Sequence, residues 1–327
     1  MMFDVPIYRF PLNETSTPSF TFNTHQSIVS LATKRTVLIT GCSDGGLGAA
    51  LAIKYVKAGW RVFASARNTA KLQETSAAGI ESVQLDVLSD GSISQAVATV
   101  SKLTGGSLDT LVLNAGGTYT MPLMDTDLRR MRYMYELNVF SNVALTQQFV
   151  PLLLKSKHGA MIVCHTSAAS LIVAPMQGVY DSAKAAMGMV AQTLHLELAP
   201  FGIKVVEIKS GTVKSHFYDN KDVAKLPPNS IYNIARGEIE TSPIMSGHSD
   251  SSQVGDRYEW ADHVIKNLLK TNPPRLVWAG HMAWLVPILT TFFPTSFMDN
   301  MMKKNSGIDI LEKRIKEQEL QIASPKQ

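Results

Sequence analysis

The sequence predicts an α/β fold in which a single parallel sheet is doubly wound, with helices on both faces. Three observations carry this expectation. Apolar, β-rich runs alternate along the chain with stretches of helical period. Those runs are almost continuously apolar, as strands buried on both faces require. A glycine-rich stretch, Thr40-Gly-Cys-Ser-Asp-Gly-Gly-Leu-Gly48, also leads straight out of the first run into the first helix.

Taken in order, Thr36 to Thr40 is a short buried strand, and Leu47, Leu51, Ala52 and Tyr55 mark one face of a helix. Arg61 to Ala66, Ser82 to Leu85 and Leu108 to Asn114 supply the next three strands. Helices over Ala70 to Ala78 and Ser92 to Leu103 lie between them. A long helix is expected over Asp127 to Lys155, then a strand over Ala160 to His165, a helix over Gly178 to Ala199 and a strand over Lys204 to Ile208. Ser215 to about Gln253 breaks the rhythm: it is polar, contains Pro227-Pro228 and has few apolar anchors. A connection that long reads as a lid or binding loop, placed at about 215–255. A helix over Trp260 to Leu269 and a strand over Leu276 to Trp278 close the sheet. Right-handed crossovers then put any ligand at the carboxyl ends of the strands.

Glycines at a strand-to-helix turn let a phosphate approach the backbone and face the N–H groups that open the helix. In this loop Gly41, Ser43, Gly46, Leu47 and Gly48 are the candidate contacts. The second strand ends in Ala64-Ser-Ala-Arg67-Asn68, with no acidic residue to bind ribose hydroxyls. Arg67 can instead clamp a 2′-phosphate, which favours NADP(H) over NAD(H). Asp86 and Val87 close the third strand, where a carboxylate can accept from an adenine amino group. Asn114, Ala115 and Gly116 end the fourth, where small residues leave room for a ribose.

A second constellation supplies proton chemistry. Tyr180 and Lys184 are four residues apart, so on a helix both project from one side. A phenol normally titrates near ~10, and a neighbouring ammonium lowers that value. Ser167, at the end of the preceding strand, offers a hydroxyl to hold a carbonyl oxygen beside the phenol. The three together read as a proton switch for a carbonyl or alcohol.

These motifs occur in the order and near the spacing of the short-chain dehydrogenase/reductase family, which the chain resembles from about Lys34 to Gly280. The resemblance implies a Rossmann-type catalytic domain and a tetrad of Asn138, Ser167, Tyr180 and Lys184. Tyr180 would be the acid/base, Ser167 would orient the carbonyl, and Lys184 would hold ribose hydroxyls as well as tune the phenol. Asn138 would position a water linking Lys184 to solvent. Val213 and Ser215 match the positions that hold the nicotinamide carboxamide. Within the family the chain looks like fungal reductases similar to NADPH-dependent 1-acyldihydroxyacetone phosphate reductase, a subgroup that also includes tailoring enzymes of secondary metabolism.

Three departures from the family pattern stand out. The glycine loop is one residue longer than the common form, so Gly45 and Gly46 compete for the middle position, and Gly46-Leu-Gly48 favours Gly46. The usual Pro-Gly after the sixth strand is here Ser210-Gly211. His165, two residues before Ser167, is expected to be a packed strand histidine, with a substrate contact as the alternative.

Composition narrows what remains. With 327 residues, 45% apolar, 18% charged and a formal charge of +4, the chain has no basic stripe for nucleic acid. Cys42 and Cys164 read as buried thiols of a reducing compartment, and the scattered histidines suggest no metal site. Residues 1–33 read as a polar N-terminal arm without the apolar block of a signal peptide, so the protein is expected inside the cell, cytoplasmic or held at an endoplasmic reticulum or lipid-droplet membrane. Residues 281–327 form a C-terminal extension. The apolar run from Leu276 to Pro294 is broken by His281 and Pro287, too short for the ~20 residues that span a bilayer. It is expected either to wall the pocket of an apolar substrate or to touch a membrane surface peripherally. The two long helices are candidates to pair in a homodimer. Against an enzyme stands a nucleotide-binding scaffold that has lost its chemistry, which the intact Ser167, Tyr180 and Lys184 disfavour.

Overall fold

The computed structural model describes residues 34–217, 225–246 and 254–323. The N-terminal arm, 1–33, lies outside the described residues, as do 218–224 and 247–253 of the expected lid.

Seven parallel strands make one sheet in the order β3-β2-β1-β4-β5-β6-β7. They are β1 (Thr36–Ile39), β2 (Arg61–Ala66), β3 (Glu81–Gln84), β4 (Thr110–Leu113), β5 (Ala160–Ser167), β6 (Ile203–Ser210) and β7 (Leu276–Ala279). Strand order reverses between β1 and β4, which opens a crevice over their carboxyl ends. Alternation along β1 sorts the core into two layers. Val37 and Ile39 pack with α1 (Leu47–Lys57), while Leu38 faces the opposite layer. The crossovers on either side include α2 (Gln73–Ala77), α3 (Asp90–Thr104), α4 (Leu128–Tyr135), α5 (Ser141–Leu153) and α6 (Gly178–Leu198). All the predicted strands are present, within a few residues at their ends.

The helix expected over Asp127 to Lys155 departs from a plain α-helix. Between α4 and α5 the chain makes a π-helical turn, Glu136–Phe140, through αR backbone. One extra residue is accommodated there without breaking the rod. The described part of the expected lid is not open loop either. It folds into a 3₁₀ turn (Ile231–Ala235), α7 (Arg236–Thr241) and α8 (Pro243–Ser246). Leu226, Ala235, Ile239 and Met245 are buried in a third cluster with Met121, Met176 and Leu311. The anchors are few, but each finds a partner far away in sequence.

After α9 (Arg257–Leu268) and β7, the C-terminal extension is helical: α10 (Leu285–Phe292), α11 (Asp299–Ser306) and α12 (Ile308–Ala323). Arg314 on α12 ties down the lid segment by donating to the Ile234 carbonyl (2.7 Å) and pairing with Glu238. Trp284 and Phe292 are exposed on and beside α10. Among the described residues no helix is long and apolar enough to cross a membrane.

Candidate active site

A cleft of about 1000 Å³ runs along the strand ends and crosses the switch point between β1 and β4. At one end α1 begins without a side-chain cap and without an acidic residue in its first turn, so its N–H groups face the cleft unopposed. The glycines before it are sterically required. A Cβ on Gly41, at φ +72°, would stand 2.8 Å from Ala115 Cα, and one on Gly48 would stand 2.5 Å from the Gly41 carbonyl oxygen. Gly46 lines the cleft. Gly45, the additional residue, does not: its N–H is turned to Glu74 (3.1 Å), and its Cα lies under the His216 ring.

At the end of β2, Arg67 reaches the cleft together with Asn68 and Lys71. Asp44 also lines the cleft, but its carboxylate already accepts from the N–H groups of Gln73 (3.2 Å) and Glu74 (2.8 Å) at the start of α2. Asp86, Val87, Asn114, Ala115 and Gly116 line the middle, and Val213 and Ser215 line the far wall after β6. A narrow backbone cradle, an uncapped helix start and two cations at the β2 end fit a phosphorylated dinucleotide.

Ser167, Tyr180 and Lys184 line the same cleft. Ser167 caps the turn after β5, accepting from the Ala169 N–H (3.2 Å), while its hydroxyl makes only a long bond to the Ser210 carbonyl (3.4 Å). That proton can readily turn to a better acceptor. Lys184 is 5% exposed, donates to the His165 carbonyl at 3.0 Å, and lies 5.9 Å from the centre of the Tyr180 ring. Burial pushes its ammonium down to about 8, the partial opposing influence being Cys164. Phe217 packs against Tyr180, with centroids 5.9 Å apart.

Asn138 and Gly48 stand one layer behind the cleft wall. Asn138 is fully buried in the π-helical turn; its Nδ2 donates to the carbonyls of Gly117 (3.1 Å) and Met134 (3.0 Å), and its Oδ1 accepts from the Gly117 N–H (3.2 Å). A Cβ on Gly116 would touch both Asn138 Oδ1 (2.8 Å) and Lys184 Nζ (3.5 Å), so the asparagine and the lysine both close on that glycine. His165 is packed at the cleft floor, with its ring against Trp260 (5.2 Å between centroids), and burial and Lys184 push it down to about 3.

Several lining residues had no signal in the sequence. Lys71 ends a 3₁₀ turn within the helix expected over Ala70 to Ala78, while Ile172, His216 and Phe217 sit in loops without periodicity, and the places of all four in the cleft depend on how distant segments meet. The Nδ1 of His216 lies 3.1 Å from the Asp44 carbonyl, so this segment crosses from the β6 side to the glycine loop. Among the described residues no group of three or more His, Cys, Asp or Glu side chains could hold a metal ion.

A glycine turn at a helix start and a serine, tyrosine and lysine gathered in the same cleft point to a class, the nicotinamide-dependent oxidoreductases. The family model for short chain dehydrogenase matches residues 35–225, and the chain belongs to that family. It is 37% identical over 289 residues to a short-chain dehydrogenase/reductase of Pestalotiopsis microspora, covering 88% of this chain and 99% of the relative. It is also 31% identical over 260 residues to the NADPH-dependent 1-acyldihydroxyacetone phosphate reductase of Schizosaccharomyces pombe, covering 76% and 86%. Among solved structures, a short-chain dehydrogenase from Streptomyces avermitilis superposes with a TM-score of 0.68 at 26% identity, covering 86% of this chain and 98% of that one.

Proposed function

We propose that the protein is an NADP(H)-dependent oxidoreductase acting on a ketone, or the corresponding secondary alcohol, of an apolar substrate. The substrate class we favour is a fungal secondary-metabolite intermediate of terpenoid or polyketide type. The observation that carries this is the meeting of Ser167, Tyr180 and Lys184 in one cleft with Arg67 and Lys71.

NADPH bound here would supply the hydride. The chain's own residues handle the rest. Ser167 turns its hydroxyl from the Ser210 carbonyl to the substrate oxygen and fixes the carbonyl plane. Tyr180 donates its phenolic proton to that oxygen as charge develops there. Lys184, an ammonium in a buried site, favours the negative charge left on the phenol, and the low local polarity strengthens its effect. Leu137, Ile172, Val213 and Phe217 supply the apolar walls and exclude water from the transfer.

Tyr180→Phe should lower turnover roughly 10²- to 10⁴-fold while leaving NADPH binding intact. Cofactor oxidation with a panel of apolar ketones checks this, and parental turnover in the variant would overturn the mechanism. Arg67→Asp should move the NADPH-to-NADH preference by about tenfold or more toward NADH, as expected on losing a charge-assisted phosphate contact. The ratio of kcat/KM for the two cofactors reads it.

A second reading, reduction of 1-acyldihydroxyacetone phosphate, is favoured by the similarity to the Schizosaccharomyces pombe enzyme. Turnover of that phosphorylated ketone at rates above those of neutral apolar ketones would select it.

A further inference from the structure

Along the cleft floor runs a chain of polar contacts that the proton transfer does not use. Asn114 Nδ2 faces two carbonyls, those of Thr40 (2.8 Å) and Gly41 (3.0 Å), and donates to both. Its Oδ1 can therefore only accept, and the atom 2.9 Å away is His165 Nδ1, which must carry the proton. In the neutral ring Nε2 is then an acceptor, and it lies 2.7 Å from Ser210 Oγ. That hydroxyl donates to the histidine and in turn accepts from the Trp260 indole N–H at 2.9 Å, since an indole can only donate. The two ends of the chain thus set the direction of every bond between them.

We propose that His165 is a positioning residue for the dinucleotide cradle and for Lys184, held in one tautomer by Ser210 and Trp260. The proposal rests on the cofactor reading above. Through Asn114 the ring ties β5 to the end of β4 and to the Gly41 turn, against which Gly48 packs without room for a methyl group. Through Ser210 it ties β5 to β6, where the chain turns into Gly211 and the wall that carries Val213 and Ser215. Its main-chain carbonyl holds the Lys184 ammonium. The ring therefore sets two separated parts of the cleft relative to each other, and the carbonyl of the same residue fixes the third. Neutrality matters too, because an imidazolium at this position would repel the cation that serves Tyr180.

A purely packing role would need only a ring stacked on Trp260, and the test separates the two. His165→Phe keeps such a ring but strands Asn114 Oδ1 and the Ser210 hydroxyl. Its NADPH Kd, measured by fluorescence titration, should rise about tenfold or more, as expected when buried polar atoms lose their partners. His165→Asn, whose Nδ2 can occupy the Nδ1 position, should recover most of that loss. In the parent, side-chain ¹⁵N NMR should show the Nδ1–H tautomer, unchanged from pH 5 to 8. An Nε2–H tautomer, titration within that range, or parental NADPH affinity in a folded His165→Phe would each overturn the proposal. Should His165→Phe not fold, Ser210→Ala decides: NADPH binding weakened several-fold supports the proposal, and unchanged binding refutes it. If the parent itself bound no NADPH, the cofactor reading would fail, and the tautomer measurement would still decide whether the bond chain exists.

Discussion

An ammonium at 5% exposure, as on Lys184, sits where the fold gains nothing from its charge. Burial lowers it from 10.5 to about 8, a cost of about 3 kcal/mol to the folded state while the group stays protonated. The sign follows from proton counting. Between about pH 8 and 10.5 the unfolded chain still binds the proton that the folded chain has released, so this group makes stability rise with pH across that window. Below pH 8 the full cost applies. Lys184→Met should therefore raise the thermal midpoint at pH 7 by a few degrees while abolishing turnover, and scanning calorimetry beside the cofactor-oxidation assay reads both. Reduction by the parent should also weaken above about pH 8 as the cation is lost, seen as a falling limb of kcat/KM. Cys42 and Cys164, pushed up to about 12 mainly by burial, stay as thiols and contribute no competing nucleophile. At this scale the sequence was informative wherever chemistry needs a fixed spacing: Ser167, Tyr180, Lys184 and Arg67 all reach the cleft. It was silent for His216 and Phe217, whose contacts with Gly45 and Tyr180 join segments far apart in the chain.

Most strands were legible because burial on both faces leaves an unbroken apolar run; the edge strand β3, Glu81-Ser-Val-Gln84, is the exception, with Val83 alone buried. Two elements were not legible, for different physical reasons. A π-helical turn keeps helical backbone angles and residue preferences, so nothing in Glu136-Leu-Asn-Val-Phe140 distinguishes it from an α-helix. The 225–246 segment looked like loop because its anchors are sparse. It folds because Leu226, Ile239 and Met245 meet Met121, Met176 and Leu311. The glycine turn between β1 and α1 is the element most exposed to a single substitution. Gly48→Ala would press a methyl group against the Gly41 carbonyl at 2.5 Å and Asn114 Nδ2 at 2.6 Å, neither of which can retreat. Loss of NADPH binding is expected, together with about 1–3 kcal/mol of stability, and chemical denaturation alongside cofactor titration checks both.

Across the whole molecule the work is divided by position along the strands. Carboxyl ends carry the cleft, while the opposite rim is closed by the buried Asp109, which accepts from the Thr36 N–H (2.7 Å) and the Ser156 hydroxyl (2.5 Å). The C-terminal helices work at a distance, since α12 reaches back to the lid segment through Arg314 and Leu311. Removing residues 308–327 should raise KM for an apolar ketone several-fold and leave NADPH affinity as it was; equal loss of both would mean that α12 supports the entire sheet. A last consequence concerns the surplus residue in the rod between α4 and α5. Each residue of an α-helix advances the azimuth by about 100°. The wide turn takes up its surplus residue within 136–140, so deleting one there would let α4 and α5 run on as one α-helix with both flanks in register, at the cost of the contacts Asn138 makes with Gly117. Deleting one residue from α5 ahead of Phe149 would instead rotate that ring by the full angle, out of the sheet-facing layer. The first deletion should leave the molecule folded and the second should not, and chemical denaturation of the two variants tells them apart.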